Sequence, residues 1–307
     1  PPEKLDIFLA LARRRAVEAT DVGHFTDNGH VEIIHQNELV GYLELDFLHA
    51  GLPNMCLTAT WDNTTSATRR RVLDWLIPPR KTSQETEDIF YALLQDPNIG
   101  SKEHLIRQYD HEVQASSIIK PFTGVHMDAP SDGAVLKPVY SSCRGITVTH
   151  GICPRLSDLD PYQMAMSAVD EAYRAHIALG GNPELASALD NFCWPDPVRS
   201  SQNPDGDYKL AQLVRACKGL LQACLDYKIP LISGKDSMKN DADLGGTKVS
   251  VRPTLLISLL GIIDDISMSM TTDFKAPGDA IFLLGETTSA LGGSSYERVT
   301  GEWHSEC

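Results

Sequence analysis

Apolar residues recur at helical spacing in three long segments, residues 4–19, 161–179 and 208–228. A stripe with a period near 3.6 residues predicts a helix that buries one face. The second helix is predicted to begin at Pro161 with Asp160 as its N-cap, and its alanines suit close packing on a sheet. The third segment has the longest stripe, which consists of Leu210, Leu213, Val214, Cys217, Leu220, Leu221, Cys224 and Leu225.

Short apolar runs bounded by Gly, Pro and Asn predict strands. Residues 30–36 and 39–45 flank Asn37-Glu38 and predict a hairpin. Further strands are predicted at residues 133–136, 145–149, 229–232, 254–263 and 280–284. The polar stretch between residues 64 and 114 contains predicted helices near 67–77, 84–95 and 101–108. From residue 121 onward strands alternate with long helices, which predicts a second domain that mixes both elements.

The net charge of the chain argues against two kinds of binding partner. The 307 residues include 27 Lys and Arg against 41 Asp and Glu, a formal net charge of −14 at pH 7, which opposes binding to nucleic acid or to an anionic membrane. The longest strongly apolar run, Thr254 to Ile263, has about half the roughly 20 residues that span a bilayer. We therefore predict a soluble, cytoplasmic protein with neither partner. The missing initiator Met indicates a piece of a longer polypeptide.

Seven cysteines are scattered without a C-x-x-C pair, at positions 56, 143, 153, 193, 217, 224 and 307. An odd number without such spacing favours neither a disulfide framework nor a zinc site, so we predict reduced thiols. Cys217 and Cys224 lie on the apolar stripe of the third helix and are predicted to be small core residues.

The polar motif Ser233-Gly234-Lys235-Asp236-Ser237-Met238 follows a predicted strand and is the first candidate site. Glycine allows close approach of a ligand to the backbone, Lys supplies a charge for phosphate, and Ser can donate a hydrogen bond to a phosphate oxygen. It is not a Walker A loop, because Ile229 stands where the first glycine is required and Asp follows the lysine. The alternative is a polar turn after the strand.

Two other groups of residues are candidates. Residues 189–197 form a predicted strand-to-loop switch with Asp190, Trp194 and Asp196, which either contacts a ligand or consists of turn caps and a core tryptophan. Carboxylates that could hold Mg²⁺ are Asp132, Asp158, Asp160 and Glu171. The ten histidines show no H-E-x-x-H pattern, G-x-S-x-G is absent, and Cys143 lacks the surroundings of a glutaminase nucleophile.

Several stretches, taken in order, resemble the synthetase component of the phosphoribosylformylglycinamidine synthase family. They include G-K-D-S-M at 234–238 and D-x-A-V-L-K-P at 132–138, and together they cover residues 25–27, 46–53, 109–114, 130–138, 159–162, 189–192, 233–238 and 291–294. The resemblance implies an α+β fold, a mixed sheet with packed helices, in which an N-type domain like that of aminoimidazole ribonucleotide synthetase is flanked by parts of C-type domains. The implied divisions are 1–63, end of the first C-type domain; 64–120, a helical linker; 121–272, the second N-type domain; and 273–307, the start of the second C-type domain.

The resemblance also implies the roles of individual residues. Asp190 and Gly234 would lie at ATP, and Ser237 would meet the substrate phosphate. Lys235 stands where many members have a metal-binding Asn; since a cation cannot ligate Mg²⁺, it would contact phosphate directly. Asp132 and Glu171 match the metal ligands of an auxiliary nucleotide site, although the Asn of that site is replaced by Ala175.

The implied activity is a ligase reaction that forms a carbon–nitrogen bond in purine biosynthesis. ATP and Mg²⁺ would serve the amidation of formylglycinamide ribonucleotide, with ammonia from a glutaminase subunit or domain. No catalytic residue is assigned to this chain, because the family's Thr-His-Asn-His-Pro stretch is absent, and the chain is expected to be inactive without the rest of the synthetase. Two alternatives stay open: a nucleotide-binding structural half without turnover, and a kinase of the selenophosphate or thiamine-phosphate type.

Overall fold

The computed structural model describes residues 1–61, 81–108, 110–286, 288 and 290–302. The chain divides into two compact units, Pro1–Cys56 and Leu57–Cys307. The helix predicted near residues 67–77 and Cys307 lie outside the described residues. The finer division into four segments stays a prediction.

The first unit contains two helices and a hairpin, namely α1 (Leu5–Arg14), β1 (His30–His35), β2 (Glu38–Glu44) and α2 (Leu45–Ala50). The hairpin prediction is confirmed: β1 and β2 are antiparallel, and the two residues between them, Gln36 and Asn37, both have positive φ. Turns of this left-handed kind match the twist of paired strands. α1 ends before the predicted residue 19, because Ala16 adopts a left-handed conformation that cannot continue the helix.

The second unit consists of a mixed sheet, two long helices and several short elements. Its helices are α3 (Ser83–Gln95), α4 (Glu103–Ile106), α5 (Pro161–Ala178), α6 (Gly206–Tyr227) and α7 (Ser295–Thr300). Its strands are β3 (Ser117–Ile119), β4 (Phe122–Thr123), β5 (Ala129–Pro130), β6 (Gly133–Leu136), β7 (Gly145–Ile152), β8 (Ala186–Cys193), β9 (Leu231–Ser237), β10 (Asp241–Leu244), β11 (Thr247–Ser250) and β12 (Thr254–Ile263). None of the described helices is long and apolar enough to cross a membrane.

Six strands form the main sheet in the order β3-β6-β7-β12-β8-β9. Only β8 and β9 are parallel neighbours, joined by α6 in a crossover, and the other neighbours are antiparallel. This is the mixed α+β arrangement that was predicted. The prediction of a strand at residues 280–284 is wrong: the segment is exposed and has no strand partner among the described residues.

One face of the sheet is covered by α5 and α6. Every second residue of β12 is fully buried against them, at Leu255, Ile257 and Leu259. α5 packs so closely on β7 that a side chain at Gly151 would collide with the backbone of Ala168. The alanine prediction holds at residues 165, 168 and 172, which are fully buried.

The burial predicted for α6 is wrong in part. Its buried positions are small or polar residues, among them Lys209, Ala216 and Ala223, and Leu220 is the one buried residue of the predicted stripe within this helix. Leu221 and Leu225 are 60% and 64% exposed, Cys217 is exposed and Cys224 is half-buried. Close packing on α5 explains the shift, since a side chain at Gly219 would collide with the backbone of Tyr162 and only small residues fit this crossing.

Candidate nucleotide and substrate site

The centre of the candidate site is the pair of parallel strands β8 and β9. Asp190 on β8 is paired in register with Gly234 on β9. A Cβ atom at Gly234 would stand 2.5 Å from Oδ1 of Asp190, so the missing side chain provides the space that the carboxylate occupies. Burial raises the pKa of the Asp190 carboxyl, and the nearby Asp236 carboxylate raises it further. This position therefore combines a glycine, which leaves room for the Asp190 side chain, with a carboxyl group that holds its proton more tightly than usual.

The motif at 233–238 belongs to the edge strand β9 up to Ser237, so the prediction of a polar turn after the strand is wrong. The parallel pairing with β8 extends the strand through it. Successive residues of a strand face opposite sides. Gly234 and Asp236 therefore share the side of Asp190, while Lys235 and Ser237 lie on the other side. The structure thus brings Asp190 and Gly234, two of the three predicted ATP-binding residues, to one side of the sheet edge. It places the third, Lys235, on the same side as Ser237, the predicted substrate residue.

The loop after β8 is held by buried hydrogen bonds. Trp194 is fully buried, and its Nε1 donates to the carbonyl oxygen of Lys209 at 3.0 Å. Asp196 accepts from the amide of Val198 at 3.0 Å. In this loop Trp194 is thus a core residue and Asp196 a turn cap, whereas Asp190 lies at the candidate site. Asp160 caps α5 as predicted, accepting from the amide of Tyr162 at 2.9 Å.

Three residues that sequence reasoning missed hold this end of the sheet. Lys209, only 8% exposed, donates to Oδ1 of Asn203 at 2.9 Å and to Oγ of Ser250 at 3.2 Å. Asn240, three residues beyond the end of β9, bonds to both Ser237 and Trp194. The preference of Asn for turns was the available signal for Asn203 and Asn240. A lysine within a predicted apolar helix gave no sign that it would be buried.

Asp132 and Glu171, the predicted metal ligands, line one pocket of about 510 Å³. Asp132 directly precedes β6, and Glu171 lies in α5. The pocket is lined by Asp132, Cys153, Leu156, Ser167, Asp170, Glu171, Arg174, Ala175 and Ala178. The structure therefore brings together two residues that are 39 positions apart in sequence.

Several polar groups of this pocket are already engaged. Oε2 of Glu171 accepts from the amide of Ile152 at 2.7 Å and from Sγ of Cys153 at 3.5 Å. Asp170 accepts from the Tyr227 hydroxyl and pairs with Arg174 at 2.7 Å. Burial, together with Glu171, raises the pKa of the Cys153 thiol to about 12. In the described part of the chain no group of three or more His, Cys, Asp or Glu side chains is placed to hold a metal ion.

Comparison with known proteins gives the class first. Residues 130–263 match the family model described as AIR synthase related protein, N-terminal domain. These residues contain β6 to β12, α5 and α6, and thus five of the six strands of the main sheet and its helical layer. The second unit therefore contains an AIR-synthase-like domain, and the candidate site lies on its parallel strand pair.

The particular relatives carry one name. The chain is 31% identical over 300 residues to the phosphoribosylformylglycinamidine synthase subunit PurL of Gloeobacter violaceus, covering 94% of this chain and 36% of the relative. It is 31% identical over 297 residues to PurL of Methanosarcina barkeri, covering 96% and 37%. The chain is thus similar to PurL over nearly its whole length and spans about a third of the length of the curated relatives it matches.

Solved structures give the same fold. PurLQS of Thermotoga maritima aligns with 89% of this chain and 38% of its own, with a TM-score of 0.56 and 18% identity. T. maritima PurL complexed with ATP aligns with 87% and 37%, with a TM-score of 0.53 and 18% identity. The complex of T. maritima PurL with FGAR also has a TM-score of 0.53 and 18% identity, covering 87% and 36%.

Proposed function

We propose that the chain is part of a phosphoribosylformylglycinamidine synthase, a ligase that uses ATP to convert formylglycinamide ribonucleotide to the amidine with ammonia derived from glutamine. The observation that carries the proposal is similarity to PurL over 94% of the chain. The AIR-synthase-like domain at residues 130–263 and the solved PurL complexes with ATP and with FGAR support it. The remaining part of the synthetase and a glutaminase subunit or domain are the proposed partners, and the proposed location is the cytoplasm.

The strand pair β8–β9 supports the proposed roles of its residues. Asp190 and Gly234 would contact ATP on one side of the sheet edge, where the Asp190 carboxylate lies over the glycine. Ser237 would meet the substrate phosphate on the other side. Lys235 shares that side, so the phosphate that its ammonium contacts would lie opposite Asp190.

Mg²⁺ is proposed because phosphoryl transfer from ATP requires charge on the moving phosphate to be offset. When bound, it would supply that compensation. Asp132 and Glu171 are the proposed metal ligands of the auxiliary nucleotide site, and two carboxylates in one pocket suit Mg²⁺, which takes few protein ligands and completes its shell with phosphates and water. One oxygen of Glu171 is engaged by the Ile152 amide, which orients the carboxylate.

The chain is proposed to be catalytically incomplete. Ammonia attack requires a positioned proton acceptor, a contribution of about 10²–10⁴ in rate. His176, the most buried histidine described, cannot serve, because Nδ1 contacts the Thr147 hydroxyl at 2.7 Å and Nε2 contacts the Asn182 carbonyl at 2.9 Å. Because the family's Thr-His-Asn-His-Pro stretch is also absent from this chain, the base is proposed to come from the remaining part of the synthetase.

The test is an assay of amidine formation with ATP, Mg²⁺, ammonia and formylglycinamide ribonucleotide, using the 307-residue chain alone and the complete synthetase that contains it. We expect no product from the chain alone and product from the complete protein, abolished without the nitrogen donor. ATP consumption that phosphorylates substrate without ammonia would indicate the kinase alternative. Nucleotide binding without turnover by the complete protein would indicate a structural role.

A further inference from the structure

Three residues, Met238, Lys239 and Asn240, connect the end of β9 to the start of β10. Lys239 adopts a left-handed conformation, with φ of 59°, which is unfavourable for a residue with a Cβ atom. The next residue, Asn240, leads into β10. A residue in this conformation needs support from its surroundings, and the hydrogen bonds of the adjacent Asn240 fix the chain on its C-terminal side.

Asn240 joins the ends of β8 and β9. Its backbone amide donates to the carbonyl oxygen of Trp194 at 2.9 Å. Its Nδ2 donates to the carbonyl oxygen of Ser237 at 2.7 Å and to that of Trp194 at 3.3 Å. The amide of Trp194 donates to the same Ser237 carbonyl at 2.8 Å. Because Trp194 is fully buried, this set of bonds fixes the end of β9 to the core.

The hydrogen bonds also determine which way the Asn240 amide points. Two carbonyl oxygens face one end of the side chain, and since carbonyls only accept, that end must be the NH₂ group. The oxygen Oδ1 therefore faces Oγ of Ser237, at 3.1 Å. A serine hydroxyl has a single proton, so Ser237 donates it to Asn240. A phosphate oxygen, which only accepts, must compete with Oδ1 for that proton.

We propose that Asn240 is a positioning residue for Ser237: it fixes the end of β9 and holds the Ser237 hydroxyl in the place from which the hydroxyl can turn its hydrogen bond from the amide oxygen to a ligand phosphate. This inference rests on the proposed role of Ser237 at the substrate phosphate. Asn240 itself does not contact the phosphate. Its loss should therefore act through Ser237 and affect phosphorylated ligands selectively.

The experiment compares the dissociation constants of formylglycinamide ribonucleotide and its nucleoside, which lacks the phosphate, in the complete synthetase. Ser237→Ala should lower the preference for the phosphorylated ligand by about 10- to 150-fold, the loss of a hydrogen bond to a charged group. Asn240→Ala should lower it by about tenfold through misplacement of the hydroxyl. In the Ser237→Ala background Asn240→Ala should add less than about a twofold change, because residues that act through one group are not additive.

Asn28→Ala is the matched control, since Asn28 holds a turn in the first unit by accepting from the His30 amide, and the preference should not change. Asn240→Ser, which keeps a small polar side chain, is measured if Asn240→Ala does not fold. The positioning role would be overturned if the Asn240 variants lowered the affinity for both ligands equally. It would also be overturned if the effects of Asn240→Ala and Ser237→Ala on the preference were fully additive. An unchanged preference in Ser237→Ala would instead refute the substrate role of Ser237, and failure of the parent protein to bind the ribonucleotide would refute the proposed function.

Discussion

Gly234→Ala tests the contact on which the nucleotide side of the site depends. The new Cβ would stand 2.5 Å from Oδ1, 2.9 Å from Oδ2 and 3.0 Å from Cγ of Asp190. Gly234 does not have positive φ, so alanine fits the backbone, and loss of unfolded-state freedom would stabilise the fold by about 0.4–1 kcal/mol. Overpacking against the carboxylate costs about 1–3 kcal/mol. The two effects leave a net loss of roughly 1–2 kcal/mol.

Thermal unfolding measures this loss, which corresponds to a decrease of roughly 2–8 °C in the midpoint for a unit of this size. A double-mutant cycle with Asp190→Ala identifies the cause, because removing the carboxylate should restore the stability of Gly234→Ala by about 1–3 kcal/mol. Ser233→Ala, on the opposite side of the same strand, should change stability by less than about 0.5 kcal/mol. ATP affinity should fall in both Asp190 and Gly234 variants. If Gly234→Ala is as stable as the parent protein and the cycle shows no coupling, Asp190 does not occupy the space above the glycine.

Three further predictions concern the buried and pocket residues. Burial lowers the pKa of His176 below 6.5, so the fold stabilises the neutral form of its side chain. The free energy of unfolding, measured by urea titration, should therefore be highest above pH 6.5 and decrease as the pH falls below it, and this dependence should be smaller in His176→Gln. Because the pKa of Cys153 is raised to about 12, iodoacetamide at pH 8.5 should modify the exposed Cys143 well before Cys153, as measured by peptide mass spectrometry. Glu171→Gln should accelerate the reaction of Cys153, and equal Cys153 rates in the variant and the parent protein would contradict the influence of Glu171. Asp132→Asn should weaken Mg²⁺-dependent binding of ADP by about tenfold or more in calorimetry, since a carboxylate ligand is lost, and unchanged binding would remove the residue from the proposed metal site.

Local patterns in the sequence were sufficient for most helices and strands. The period of apolar residues identified α5, α6 and β12, and the proline and glycine at the ends of α5 located its boundaries, because these signals depend on residues close together in the chain. The hairpin of the first unit followed from the same reasoning. The strand predicted at residues 280–284 failed, since an apolar run becomes a strand only where a partner strand lies beside it.

The sequence also located the motif at 233–238 and the carboxylates at 132, 171 and 190, and similarity to a known family assigned them roles. It could not show that Lys235 and Asp190 lie on opposite sides of the sheet edge, because that depends on the motif being strand rather than turn and on its register with β8. Nor could it show which face of α6 is buried, which the close crossing with α5 at Gly219 decides. Asn240 contacts Trp194, a residue 46 positions away, and only the tertiary fold brings such groups within hydrogen-bond distance.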